Sequence, residues 1–221
     1  MLLRKFDIAK AGRISPQLAG DEAYRRFCRP ELSHYASPNQ AKLQDRARVH
    51  LKRAKWFKVP CCAGAVQAYE FLPSEATNGQ SVLLVHGWTS EAAFMAAFVE
   101  PLLRKGFRIV AFDLPAHGFS AGRHASLIDS AQALHAVAAV AGPFDHIVCN
   151  SLGGVVALMV ADGAAPLPGP IEFGRYVLIA TPNKLTDFTA NFARQLRLPR
   201  QAQRAFEHHL ERIGHRDIET V

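Results

Sequence analysis

The chain has 221 residues, 49% of them hydrophobic, enough to bury one sizeable core, and 26 Lys/Arg against 19 Asp/Glu give it a net charge of +7. No run approaches the roughly 18 uninterrupted apolar residues of a membrane span, and the opening Met1-Leu2-Leu3-Arg4-Lys5-Phe6-Asp7 lacks the apolar core of a secretory leader. Cys28, Cys61, Cys62 and Cys149 show no metal-ligand spacing, so a reduced, cytoplasmic setting is expected.

The charge is uneven. Residues 1–60 hold 14 Lys/Arg against 5 Asp/Glu, whereas the remainder is slightly acidic. The expectation is a basic helical N-terminal extension with a solvated face. Contact with nucleic acid or an anionic membrane is the alternative, but no nucleic-acid motif or aromatic-interleaved basic stripe accompanies the charge.

Ser37-Pro38-Asn39-Gln40 reads as an N-cap followed by proline at the first helical position. Leu43, Ala47, Leu51 and Ala54 then recur at helical spacing, predicting an amphipathic helix that Val59-Pro60 ends. Its narrow apolar stripe is expected to lie on a neighbouring domain. Ala65 to Leu72 reads as a strand, and Asn78-Gly79 as a turn.

From there the pattern alternates. Ser81–Val85 is a short apolar strand ending in His86-Gly87-Trp88, and Ser90 can cap a helix carrying Phe94, Ala97, Phe98 and Leu102. Gly106 closes that helix. Phe107–Phe112 is the next strand, and it ends at Asp113. Ser126 begins an alanine-rich helix that Gly142-Pro143 stops. The apolar run His146-Ile147-Val148-Cys149 breaks at Asn150-Ser151 into a helix running to Gly163, and Arg175 to Ala180 reads as another buried strand. Phe188, Phe192 and Leu196 mark one further helix, and Ala202, Phe206, Leu210 and Ile213 another.

Apolar strands alternating with helices predict an α/β fold, a mostly parallel, doubly wound sheet with helices on both faces. The expected organisation is an N-terminal extension over 1–60, an α/β core over 61–182 and a helical cap segment over 183–221. Ligands bind such sheets at the carboxyl ends of the strands, where all of these turn motifs lie.

The most informative stretch is Val148-Cys149-Asn150-Ser151-Leu152-Gly153-Gly154. A serine on so sharp a strand-to-helix turn projects its hydroxyl away from the sheet, while the N–H groups that follow point at the same spot. The alternative reading of Ser151 is an ordinary helix N-cap.

Three motifs in order resemble the α/β-hydrolase family: His86-Gly87-Trp88, Asp113-Leu114-Pro115-Ala116-His117-Gly118-Phe119-Ser120, and Asn150-Ser151-Leu152-Gly153-Gly154. The resemblance implies that Ser151 is the nucleophile attacking an acyl carbon. It places the oxyanion donors at the backbone N–H groups of Leu152 and Trp88, and it makes His86, Asp113 and His117 structural. Catalysis of this kind needs no metal or organic cofactor. Cys149 stands where the pattern has a glycine, and close packing tolerates a small residue there.

A serine nucleophile also needs a base and an orienting acid. After Ser151 the chain offers only His208, His209 and His215, all in or just past the helical tail, and Asp187 is the candidate acid. The expectation is a C-terminally incomplete chain, with a naturally shortened, non-catalytic relative as the other reading. Two functions follow. One is a serine hydrolase acting on carboxylic esters or thioesters of a small-molecule substrate, whose acyl group Phe188, Phe192 and Leu196 suggest to be hydrophobic. The other is a binding or scaffold protein on the same fold. Nothing in the sequence indicates the oligomeric state.

Overall fold

The computed structural model describes residues 7–30, 38–163 and 165–214. In chain order its elements are α1 (Ile8–Ile14), α2 (Pro16–Phe27), α3 (Pro38–Leu51), β1 (Lys55–Cys61), β2 (Gly64–Phe71), β3 (Ser81–Val85) and a 3-10 helix (Ala92–Phe98). There follow α4 (Val99–Leu103), β4 (Arg108–Phe112), α5 (Leu127–Ala141), β5 (His146–Asn150), α6 (Leu152–Asp162), β6 (Arg175–Ile179), α7 (Leu185–Gln195) and α8 (Arg200–Gly214). Contacts divide the chain into two units, residues 30–181 and residues 1–29 with 182–221.

The first unit is a six-stranded sheet of order β1-β2-β4-β3-β5-β6. β3, β4, β5 and β6 run parallel, and the β1–β2 hairpin adds antiparallel to β4. The period-2 alternation of strand side chains sorts the apolar residues into two layers. Tyr69, Phe71, Val82, Leu84, Ile109, Ala111 and Val148 form one buried cluster with Leu51 of α3, Ala92, Ala93 and Met95 of the 3-10 helix, and Val99 of α4. Leu83, Val85, Val110, Phe112, Ile147 and Cys149 alternate with them, all fully buried, on the side of α5 and α6, which pack together.

Local chemistry fixes the helix ends. The Ser126 hydroxyl accepts from the Asp129 N–H while the Asp129 carboxylate accepts from the Ser126 N–H, a capping box at the start of α5. Gly163, at φ 66°, terminates α6 in the left-handed conformation.

Four sequence expectations are corrected here. The helix of 38–51 ends at Leu51, and Val59-Pro60 lies inside strand β1, paired with Val66 and Ala65. Proline is tolerated there because β1 is an edge strand whose outer N–H groups need no ladder partner. Of the expected apolar stripe, Ala47 and Leu51 of α3 and Ala54 just beyond it enter the sheet cluster of their own unit, whereas Leu43 is exposed. The Ser90-capped α-helix is a 3-10 helix preceded by Glu91, and its Ala92 N–H is received by the Asp113 carboxylate at 2.7 Å. A tertiary carboxylate thus replaces the local cap. β6 is not buried: it forms the far edge of the sheet, and Val177 and Leu178 are exposed.

The second unit is helical. Phe27 of α2 meets Phe188 and Phe192 of α7 edge to face and lies tilted against Phe206 of α8. Gly20 lets α2 approach α8 closely, since a Cβ there would stand 2.6 Å from the Ala205 methyl. Phe188, Phe192 and Leu196 all pack against this unit's own core.

Candidate functional site

The carboxyl ends of the parallel strands gather the unusual backbone. Four non-glycine residues with positive φ follow β3, β4, β5 and β6 in turn: Thr89 (56°), Ala116 (62°), Ser151 (51°) and Ala180 (51°). Conformations of this kind cost of order 1–3 kcal/mol each and persist where surrounding structure holds them.

Ser151 carries φ 51° and ψ −127°, and its side chain makes no capping hydrogen bond to α6. Its position is that of an N-cap but its hydroxyl is not used as one. The turn is held by the backbone. The Ser151 N–H donates to the Ile179 carbonyl of β6 at 2.8 Å, and the Gly154 N–H donates to the Ser151 carbonyl at 2.9 Å.

Small residues make so tight a crossing possible. A Cβ on Gly153 would lie 2.5 Å from the His86 carbonyl oxygen, and one on Gly154 only 2.0 Å from the Thr181 hydroxyl. A Cβ on Gly87 would lie 2.8 Å from the Ser151 Cβ and 3.1 Å from the Asn150 carbonyl oxygen. The turn after β3 therefore abuts the elbow. Gly87 neighbours Trp88 and Ser151 neighbours Leu152, so the segments bearing both expected oxyanion donors meet here. Leu152 opens α6, where the first N–H groups of a helix lack intrahelical partners. Cys149 is fully buried, which pushes its thiol up to about 12 and leaves it protonated at neutral pH.

Two histidines staple the turns around this spot. His86 Nε2 accepts from the Leu114 N–H at 2.9 Å while its Nδ1 faces the Gly87 carbonyl at 2.7 Å. His117 Nε2 accepts from the Thr89 N–H at 3.2 Å, and its Nδ1 faces the Pro115 carbonyl at 2.8 Å. An acceptor at Nε2 and a donor at Nδ1 define a neutral ring in each case. Burial pushes His86 down to about 4 and His117 to about 3. Both rings have spent both nitrogens on backbone, so neither is a base for Ser151.

Asp113, fully buried, anchors the middle turn. Its carboxylate accepts from the Tyr69 hydroxyl at 2.6 Å, the Ala92 N–H at 2.7 Å and the Phe119 N–H at 2.9 Å. Desolvation raises its pKa, and those three donors oppose the rise. Tyr69 was invisible from sequence as a functional residue, because in an alternating strand it reads as core, and only the fold brings it to a residue 44 positions away.

The expected partners of the nucleophile lie in the helical unit. Asp187 is exposed in the first turn of α7, where a carboxylate is favoured by the helix dipole. His208 is exposed beside Glu211, and His209 Nε2 meets Asp21 Oδ1 at 2.5 Å. His215 lies outside the described residues. Among the described residues no group of three His, Cys, Asp or Glu is arranged to hold a metal, and no helix is long and apolar enough to cross a membrane.

A family model described as "Alpha/beta hydrolase family" matches residues 82–218. The chain belongs to the alpha/beta hydrolase family. This alpha/beta hydrolase is 31% identical over 149 residues to a serine hydrolase-like protein of Danio rerio, covering 63% of this chain and 43% of the relative. It is 35% identical over 105 residues to a pimeloyl-[acyl-carrier protein] methyl ester esterase of Nitrosomonas europaea, covering 47% and 38% of the two chains. The chain thus spans less than half the length of either curated relative. In fold it is similar to an esterase of Pyrococcus furiosus, with a TM-score of 0.50, 20% identity, and 69% and 62% of the two chains covered.

Proposed function

We propose that this alpha/beta hydrolase is a serine hydrolase acting on carboxylic esters or thioesters through an acyl-enzyme on Ser151. The observation that carries the reading is the strained Ser151 backbone, with a hydroxyl not engaged in capping and the Gly87-Trp88 turn packed against it. In the proposed reaction Ser151 Oγ attacks the acyl carbon and its proton passes to a general base. The developing oxyanion is received by the Leu152 and Trp88 N–H groups, and removal of one such donor typically costs ~3 kcal/mol. The alcohol or thiol leaves with the proton, and water then releases the acid and restores Ser151. His86 and His117 are committed to backbone and do not serve as that base, and Asp187 is kept as the candidate acid. A methyl ester esterase among the relatives supports the ester class.

A fluorophosphonate probe tests the reading directly. Covalent labelling of the protein that Ser151→Ala abolishes is the expected result. No labelling, with ester hydrolysis at background, would refute it and favour a binding or scaffold role, which the committed state of His86 and His117 makes the specific rival.

A further inference from the structure

We infer that α3, which lies outside the family-matched residues 82–218, positions the oxyanion turn through Arg48, making Arg48 a positioning residue that acts through Glu91 on the backbone of Trp88. The inference rests on the reading of Trp88 as an oxyanion donor.

The turn after β3 runs from Gly87 to Glu91, where the 3-10 helix begins, and the Ser90 N–H closes it on the Gly87 carbonyl at 3.3 Å. Glu91 is 1% exposed, an unusual place for a carboxylate unless it is paired. Among the described residues its pairing comes from α3. Arg48 Nε donates to Oε1 at 2.7 Å, Arg48 Nη2 to Oε2 at 2.5 Å, and Gln44 Nε2 to Oε2 at 3.0 Å. Residues 44 and 48 are one helical turn apart, so both donors leave the same face of α3. The planar guanidinium meets the carboxylate bidentately, which fixes orientation as well as distance.

The next peptide is held from the other side. The Ala92 N–H enters the Asp113 carboxylate, which also receives the Tyr69 hydroxyl. Two buried carboxylates therefore flank the end of the turn, and Arg48 is the cation drawn to both, which raises its own pKa. Arg48 further lies over the Phe119 ring at 5.0 Å, and Phe119 returns to Asp113 through its N–H. One guanidinium so connects the turn after β3 with the turn after β4. Leu51 and Ala47 anchor α3 in the sheet cluster and give the clamp a rigid base.

Removing Arg48 leaves Glu91 as a buried, uncompensated charge. The carboxylate regains hydration only by swinging outward, and the turn carrying Trp88 goes with it. A surface pair such as Arg53 with Glu100 has no such leverage, since both of its side chains are largely in solvent.

The experiment compares Arg48→Met, Arg48→Lys, the double variant Arg48→Met/Glu91→Gln and the control Arg53→Met. Amide hydrogen exchange over residues 87–92 and the rate of fluorophosphonate labelling of Ser151 are both measured. Arg48→Met is expected to speed exchange across the turn and to slow labelling, each by roughly ten-fold or more. Arg48→Lys falls between it and the wild type, and Arg53→Met matches the wild type. The double variant removes the buried charge together with its partner, so it reports on the clamp even where Arg48→Met fails to fold, and it too should exchange faster and label more slowly. Wild-type exchange in the double variant overturns the clamp, and faster exchange with unchanged labelling overturns its bearing on the oxyanion turn. An unlabelled wild type refutes the hydrolase reading instead, and a clamp whose purpose is the oxyanion falls with it.

Discussion

Gly87 and Ser151 meet with no room for a side chain between them, since a Cβ on the former would stand 2.8 Å from the Cβ of the latter. The turn after β3 and the elbow after β5 are thereby pressed together, backbone against side-chain root. Gly87→Ala is expected to destabilise the protein by about 1–3 kcal/mol, the usual cost of forcing an extra carbon into a packed site. Urea unfolding measures it. A midpoint equal to that of the wild type would mean the turn can retreat and that the contact does not hold the site.

The conformation of Ser151 predicts an inverted order of stability for two variants. Ser151→Ala keeps a Cβ at φ 51° and ψ −127°, whereas Ser151→Gly removes it. Both lose the hydroxyl, so the glycine variant should be the more stable by about 1–3 kcal/mol, the strain associated with such backbone. Thermal unfolding of the pair decides the point, and equal midpoints would show the elbow to be relaxed.

Tyr69 donates to a carboxylate that has almost no water to turn to. Tyr69→Phe removes one of the two donors to Asp113 Oδ2 in the buried turn after β4, with an expected loss of about 1.5–3 kcal/mol, as for hydrogen bonds to charged groups. It should also raise the Asp113 pKa further. Chemical denaturation of Tyr69→Phe against the wild type supplies the number. A neutral substitution would indicate that water replaces the phenol.

His86 gives a pH dependence of definite sign. Its ordinary value of 6.5 falls to about 4 in the folded protein through burial. Above pH 6.5 the ring is neutral in both states and stability does not depend on it. As pH falls from 6.5 towards 4, the unfolded ring takes up a proton that the folded ring refuses, so stability drops across that window by roughly 3 kcal/mol. His117, lowered to about 3, acts in the same direction. Asp113, raised by burial, acts in the opposite one. Unfolding free energies at pH 7.5 and pH 5 should therefore differ less in His86→Gln than in the wild type. Identical slopes would contradict a neutral, buried His86.

Much of the sheet could be read in advance because its cues are short-range. Ser81–Val85 and the strand ending at Asn150 are apolar runs cut off by turn residues, and Ser126 with Asp129 caps α5 through contacts three residues apart. β1 could not be read that way. Its Lys55 and Lys58 continue the basic composition of α3, and only pairing with β2 makes it a strand. β6 shows the converse: an apolar run of the kind that usually lies inside a sheet pairs, among the described residues, with β5 alone, and pairing partners are not legible in a strand's own hydrophobicity.

The amino-acid order alone settled that a serine stands where a strand breaks into a glycine-rich helix, and that this motif follows two others at strand ends, because steric rules of φ and ψ act within a few residues. The folded chain decided the rest. It joined Tyr69 to Asp113 and Arg48 to Glu91, and it locked His86 and His117 into neutral tautomers. The reason is physical: burial and pairing are properties of groups brought together from 28 to 44 residues apart, and no local rule prices a charge until water has been taken away from it.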